Sequence, residues 1–188
     1  MLRFVEEFQK YVLITGLKTN KIDTPEELLR VVNRGKPSNV EIQVFDAQHV
    51  ATWEHLHFAV LNALTAYKNK ANVSRSLAME TMLYASAQRQ IRKATEFLGI
   101  KSGSVRIAMV MISEKPEDLE STLSRILRQI EAESDEAVLE LTDAKAASIR
   151  RIFGISDGEL GVVAKASETK RALVDLIIER MALLTTER

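Results

Sequence analysis

VRIAMVMI, the stretch from Val105 to Ile112, decides the fold class. It is short, contains several β-branched residues and is almost entirely apolar, which predicts a strand in the centre of a sheet. Two other stretches predict strands: Tyr11–Lys18, YVLITGLK, is rich in β-branched and aromatic residues, and Val40–Phe45, VEIQVF, alternates. Helical patterns separate and follow them. We therefore expect a single α+β domain over residues 1–188, with helices packed on a small, mainly antiparallel β-sheet.

Start and stop signals delimit the helices. Thr24-Pro25 starts one that ends near Gly35, and Asp46 is expected to cap the next, which runs from about Ala47 to Tyr67. Residues 135–141 remain open between a short strand and an extended link. The other expected helices are Ser74–Leu98, Pro116–Ala132, Asp143–Phe153 and Thr169–Leu184.

Glycine is expected to end two of these helices in the same way. Leu98-Gly99-Ile100 and Phe153-Gly154-Ile155 both predict a left-handed glycine after the last turn, with the following isoleucine packing back on it. In the last helix, Leu173, Leu176, Ile177, Met181 and Leu184 form a core stripe that Val174, Ile178 and Leu183 widen. So wide an apolar surface indicates either full burial or a partner surface.

Composition excludes several classes of protein. The chain has 188 residues, no cysteine and a formal net charge of zero. Disulfides and thiolate zinc sites are therefore excluded, and so is coating of nucleic acid by charge alone. The first residues do not form a signal peptide and no apolar run is long enough for a membrane span, so we expect a soluble, cytoplasmic protein that does not bind membranes.

Positive charge is nevertheless concentrated locally. The segment from Lys68 to Lys93 carries six cations and one acid. On a continuous helix the later cations share one face, and the Lys-rich loop leads into it. Cations beside adaptable side chains suit the phosphates and bases of a single strand, whereas a solvated helix face is the alternative. The candidate contacts are Lys68, Asn72, Arg75, Ser86, Arg89 and Lys93.

Glu80 interrupts an apolar stripe on the same predicted helix. The stripe comprises Leu77, Tyr84, Ala87, Ile91, Ala94 and Leu98. A buried carboxylate must be paired, hydrogen-bonded or protonated. Glu80 is thus either a general acid or base of a small enzyme, or a structural tie to the backbone N–H groups of a neighbouring loop. No second catalytic group accompanies it, so we expect Glu80 and Tyr84 to be buried structural residues and assign no catalytic residue.

The histidines do not predict a metal site. His49, His55 and His57 lie on one predicted helix, but their spacings differ from the three or four residues that would place ligands on one face. None of the common nucleotide-binding, calcium-binding or hydrolase motifs is present. We therefore expect no metal and no small-molecule cofactor.

The segment from Phe45 to Ile100 resembles the CGI-121 family, the small kinase-binding subunits of the KEOPS (EKC) complex. The motifs that carry the resemblance are His55-Leu56, Asn72–Arg75, Glu80–Ser86, Arg89–Ile91 and Gly99-Ile100. The resemblance extends over about Tyr11–Leu184. The chain differs from the family pattern at Ala87, where glycine is usual, and over residues 156–170.

The resemblance implies an adaptor subunit and no enzymatic activity. Family members bind a small atypical kinase within the complex that installs threonylcarbamoyladenosine in tRNA, and archaeal members also bind the single-stranded 3′ end of tRNA. This implied activity coincides with the basic segment. The alternative is a pure protein–protein scaffold of the kinase without direct tRNA binding. The lack of cysteine suits an archaeal source.

Overall fold

The chain divides into two compact units. The computed structural model describes residues 1–19, 24–164 and 168–184. The first unit comprises Met1–Ala47 and Gly99–Leu139, and the second comprises Gln48–Leu98 and Glu140–Arg188. The expectation that residues 1–188 act as one domain stays a prediction.

The first unit contains five strands: β1 Leu2–Val5, β2 Lys10–Lys18, β3 Glu41–Asp46, β4 Arg106–Ser113 and β5 Glu133–Ser134. They form an antiparallel sheet in the order β1-β2-β4-β3, with β5 pairing with β2. The α+β prediction is confirmed, and β4 lies inside the sheet as its apolar sequence predicts. The edge strand β1 and the two-residue β5 were not predicted.

Helices α1 (Pro25–Asn33) and α5 (Pro116–Gln129) pack on one face of this sheet. Thr24 caps α1 as predicted, because its hydroxyl accepts a hydrogen bond from the N–H of Glu27 and Pro25 occupies the first turn. The alternating side chains of the strands face the buried sides of both helices and form one core: Leu13, Leu17, Leu28, Val32, Val40, Ile42, Val44, Ile107, Met109, Met111, Leu119 and Ile126.

The chain after Asp46 forms a short 3₁₀ turn, Ala47–His49, and not the start of the predicted long helix. Asp46 is the last residue of β3, and its carboxylate accepts a hydrogen bond of 2.8 Å from the Ser104 hydroxyl. The following long helix starts later, at Trp53, and is capped by Thr52, which accepts from the N–H of His55. The predicted start of the helix is therefore wrong, although residues 53–67 are helical as expected.

The second unit is helical. All five residues of the predicted core stripe are buried: four lie in the last helix, α8 (Thr169–Leu183), and Leu184 directly follows it. Val174 is buried as well, whereas Leu183 is 49% exposed. None of the helices in the described residues is long and apolar enough to cross a membrane. The helices are α2 Trp53–Lys68, α3 Leu77–Ala85, α4 Ile91–Leu98, α6 Asp143–Phe153, α7 Asp157–Val163 and α8 Thr169–Leu183.

Only one of the two predicted glycine caps forms. Gly154 is left-handed (φ 61°), and the N–H of Ile155 bonds to the carbonyl of Arg150, as predicted for the end of α6. Gly99 is not among the glycines with positive φ in the described ranges. After α4 the chain instead turns at Gly103 (φ 83°), where the N–H of Ser104 bonds to the carbonyl of Lys101.

Candidate functional site

The predicted helix from Ser74 to Leu98 is two helices, α3 and α4, with a break at residues 86–90. The helix prediction is wrong at this point because α3 ends in a Schellman motif. The N–H of Ala87 bonds to the carbonyl of Tyr84 at 2.9 Å, and the N–H of Gln88 bonds to that of Leu83 at 3.0 Å. Ala87 takes the left-handed position (φ 49°) that glycine usually fills. The family motif with glycine here was the one sequence signal of a break.

The break changes the predicted basic face. Ser86 is 1% exposed, and its hydroxyl donates to the carbonyls of Met82 and Leu83, so it satisfies the end of α3 instead of facing solvent. Asn72 is half-buried in the loop before α3, and the four cationic candidates reach the surface from separate parts of the chain. Lys68 ends α2, Arg75 precedes α3, Arg89 lies in the break and Lys93 is in the first turn of α4; all four are exposed.

Glu80 holds the loop that precedes α3. Its carboxylate, in a residue only 2% exposed, accepts hydrogen bonds from the N–H of Val73 (3.0 and 3.2 Å) and from the N–H of Ser74 (2.7 Å). The carbonyl of Ser74 in turn accepts from the Tyr67 hydroxyl and from the Asn72 amide, both at 2.9 Å. The buried carboxylate therefore acts as the tie to a loop that was one of the two interpretations. The geometry favours this role over general acid or base chemistry.

A small cleft lies between this loop and the break. Its volume is about 70 Å³, and its lining combines apolar walls with one acid, one phenol, one amide and one guanidinium. Three of the motifs that carry the family resemblance contribute to it. Val73 belongs to the motif at 72–75, Glu80 and Tyr84 to the motif at 80–86, and Arg89 to the motif at 89–91. The lining residues are Ala71, Val73, Glu80, Leu83, Tyr84, Gln88, Arg89 and Leu184.

Tyr84 and Arg89 give the cleft its polar character. Burial and the neighbouring Glu80 carboxylate raise the pKa of the Tyr84 phenol, although Arg89 opposes the shift, so the phenol keeps its proton at neutral pH. Arg89 donates a hydrogen bond of 3.3 Å to the carbonyl of Leu184. Arg89 thus joins the break to the end of α8 and places its charge at the wall of the cleft.

Two exposed apolar residues were not identified as functional candidates from the sequence. Val73 is 53% exposed and lines the cleft. Ile91, which the helical stripe placed in the core, is 47% exposed at the start of α4, directly after Arg89 and Gln90. The stripe was drawn on one continuous helix, and the break at residues 86–90 interrupts that helix directly before Ile91. No signal in the sequence distinguishes such a residue from a core isoleucine.

His55 is a structural residue that joins α2 to the end of α3. Its Nδ1 accepts from the N–H of Ala51, so its protonated Nε2 donates to the carbonyl of Ala85 at 2.7 Å. Burial lowers the pKa of His55 to about 4, and the charge of Lys145 acts in the same direction while the bond to Ala85 opposes it. Within the described part of the chain, no group of three or more histidine, aspartate or glutamate side chains could hold a metal ion.

Comparison with known proteins identifies the family. The family model described as kinase binding protein CGI-121 matches residues 19–185. The chain belongs to the CGI-121 family. One member, the regulatory protein Cgi121 of Methanocaldococcus jannaschii, is 36% identical over 165 residues, which cover 88% of this chain and 98% of that relative. The family resemblance of the motifs is therefore confirmed, and membership of a kinase-binding, regulatory family supports an adaptor role.

Proposed function

We propose that this chain is a non-catalytic, cytoplasmic adaptor subunit of the KEOPS complex. It binds the small atypical kinase of the complex and recruits tRNA through its single-stranded 3′ end for threonylcarbamoyladenosine modification. Family membership supports the kinase partner. The cleft and its surroundings support the second activity.

The observation that carries the tRNA proposal is the joining of cations and apolar surface around one cleft. Arg89 and Val73 both line it, the former charged and the latter half exposed, while Arg75 adjoins the loop of Val73. Exposed Ile91 follows Arg89 in the chain, and Lys93 lies one turn from the break. Cations that contact phosphates beside apolar surfaces that receive bases are typical of sites for single-stranded nucleic acid.

The size of the cleft argues against a metabolite-binding site. Pockets for small substrates and cofactors usually enclose about 300–1,000 Å³. The cleft beside Glu80 is about 70 Å³, which admits a few polar atoms of a larger ligand that lies mostly on the surface. A flexible polynucleotide tail fits that description.

The mechanism of such an adaptor is positioning. One surface binds the kinase while the other retains the tRNA tail, so that two modest contacts on one assembly raise the effective concentration of the substrate. The tail contact depends on neutralised phosphates. Its affinity should therefore fall with salt, and each phosphate contact on a single strand adds about 0.7 to the slope of log K against log salt concentration.

The test measures the affinity of the purified protein for tRNA with and without its single-stranded 3′ tail. Each affinity is measured at two salt concentrations. Removal of the tail should abolish most of the binding. Double substitution Arg75→Glu and Arg89→Glu should do the same for intact tRNA. The matched control is Arg34→Glu with Arg128→Glu, because both residues are exposed and belong to the first unit. The control has the same net charge and should bind the tail as wild type does at equal salt.

Two results would contradict the tRNA part. Equal affinity for intact and trimmed tRNA would exclude the tail as the ligand. An Arg75→Glu, Arg89→Glu variant that unfolds at the wild-type temperature yet binds tRNA normally would exclude the basic residues. In either case, retention of the kinase in a pull-down would leave the protein–protein scaffold as the function.

A further inference from the structure

The Tyr84 hydroxyl is a polar group that the fold does not use. Tyr84 is 4% exposed, and within residues 1–19, 24–164 and 168–184 its hydroxyl makes no hydrogen bond. Its ring lines the cleft beside Glu80 and Arg89. By contrast, the Tyr67 hydroxyl, on the neighbouring helix α2, bonds to the carbonyl of Ser74. The hydroxyl oxygen itself is not buried, so it opens on the cleft and is available to a ligand.

Glu80 also retains capacity to accept hydrogen bonds. Its Oε2 receives both loop N–H groups, at 2.7 and 3.0 Å, whereas Oε1 receives only the longer branch from Val73, at 3.2 Å. An ionised carboxylate offers about four lone-pair sites. The loop therefore leaves acceptor capacity on a carboxylate that lines the cleft.

A pair of neighbouring hydroxyl groups fits these two residues. The carboxylate accepts from a hydroxyl and repels a phosphate, and the phenol can donate to or accept from a second hydroxyl. In dinucleotide-binding folds an acidic side chain binds ribose hydroxyls in this way. A volume of about 70 Å³ is roughly two water volumes, so it suits the edge of a sugar and excludes an entire nucleotide.

We propose that the cleft binds the 2′,3′-hydroxyl pair of a 3′-terminal ribose, with Glu80 and Tyr84 as its specificity-determining residues. This inference rests on the proposed binding of a single-stranded tRNA end. Arg89, at the wall of the same cleft, then contacts the adjacent phosphate. A free diol exists only at an unmodified 3′ end, so the protein selects RNA over DNA and a free end over an esterified or phosphorylated one.

The test compares short single-stranded RNAs of one sequence, labelled at the 5′ end, that differ only at the last sugar. One ends in ribose, one in 2′,3′-dideoxyribose and one in a 3′-phosphate. We expect the dideoxy end to bind about tenfold more weakly than the ribose end, and the phosphorylated end at least as weakly. In Tyr84→Phe the difference between ribose and dideoxyribose should fall to about threefold, because one of the two hydrogen-bonding groups is gone.

Tyr84→Phe is a conservative probe, since the hydroxyl it removes makes no bond that the fold needs. Its thermal unfolding should match that of the wild type. Tyr11→Phe is the matched control, because Tyr11 lies on β2 in the first unit and does not line the cleft. This control should keep the full tenfold discrimination.

The outcomes separate this inference from the proposed function. If the ribose and dideoxyribose ends bind equally well, the hydroxyl site is refuted while binding of the tail stands. Discrimination that survives in Tyr84→Phe at its wild-type value refutes the assignment to Tyr84. If none of the RNAs binds, the tail-binding function fails and the hydroxyl site fails with it.

Discussion

Replacement of Glu80 tests the central structural argument, that a buried carboxylate holds the loop before α3. The carboxylate receives two backbone N–H groups, and the residue is 2% exposed. Both N–H groups bond chiefly to the same oxygen, Oε2, so a glutamine could keep both bonds, whereas Glu80→Leu removes every acceptor and the charge that strengthens both bonds.

The expected cost follows from the two bonds. A hydrogen bond to a charged group contributes about 1.5–3 kcal/mol. The lower value applies here, because Val73 is 53% exposed and its N–H can reach water when the loop opens. Loss of both bonds therefore costs about 3 kcal/mol. For a chain of this length that corresponds to a fall of roughly 6–12 °C in the unfolding temperature.

Amide hydrogen exchange provides the direct assay, because it measures opening of the loop itself. The amides of Val73 and Ser74 should exchange on the order of a hundredfold faster in Glu80→Leu than in the wild type. Glu96→Leu is the control, since Glu96 is exposed and pairs with Arg92 only at 3.7 Å. It should leave the exchange of both amides unchanged. Equal exchange in Glu80→Leu and the wild type would refute the tie.

Two further predictions concern the ends of α3 and its neighbours. His55 has a pKa of about 4 in the folded protein against 6.5 when unfolded, so the unfolded state binds more protons between these values. The free energy of unfolding should be greatest above pH 6.5 and about 3 kcal/mol lower at pH 4. His55→Phe should flatten this dependence on pH, and a variant with an equally steep dependence would contradict the role of His55. At Ala87 (φ 49°) we expect Ala87→Gly to raise the free energy of unfolding by about 0.5 kcal/mol and the β-branched Ala87→Val to lower it by about 2 kcal/mol. Denaturant unfolding measures the stability of both Ala87 variants. A valine variant as stable as the wild type would show that the left-handed cap is not required.

The strands with a buried face could be predicted because their patterns are strong. β2, β3 and β4 form the buried part of the sheet, and their apolar and β-branched residues indicated them within a residue or two at either end. β1 escaped because it is an edge strand whose Leu2 and Phe4 are 40% and 44% exposed, so it shows no buried alternation. The short helix α7 escaped for a similar reason: Val162 is 88% exposed and only Leu160 is buried.

The site was only partly predictable. Glu80 stood out because a carboxylate in an apolar stripe is costly unless it is satisfied. The basic face was predicted on a single helix, which the structure divides into α3 and α4. Ser86, at the end of α3, is therefore buried and does not belong to that face. The break depends on which carbonyls Ala87 and Gln88 reach, and the periodicity of a sequence contains no information on that.

The sequence by itself determined the fold class, the family and the one residue whose burial demanded a partner. These follow from apolar periodicity, from motifs and from the cost of an unsatisfied charge, all of which are local properties of the chain. The tertiary structure alone decided that Glu80 binds the N–H groups of Val73 and Ser74, that α3 ends at Ala85, and that Tyr84 and Arg89 line one cleft with Leu184. Those contacts join residues up to about a hundred positions apart, and their geometry depends on packing that no local pattern specifies.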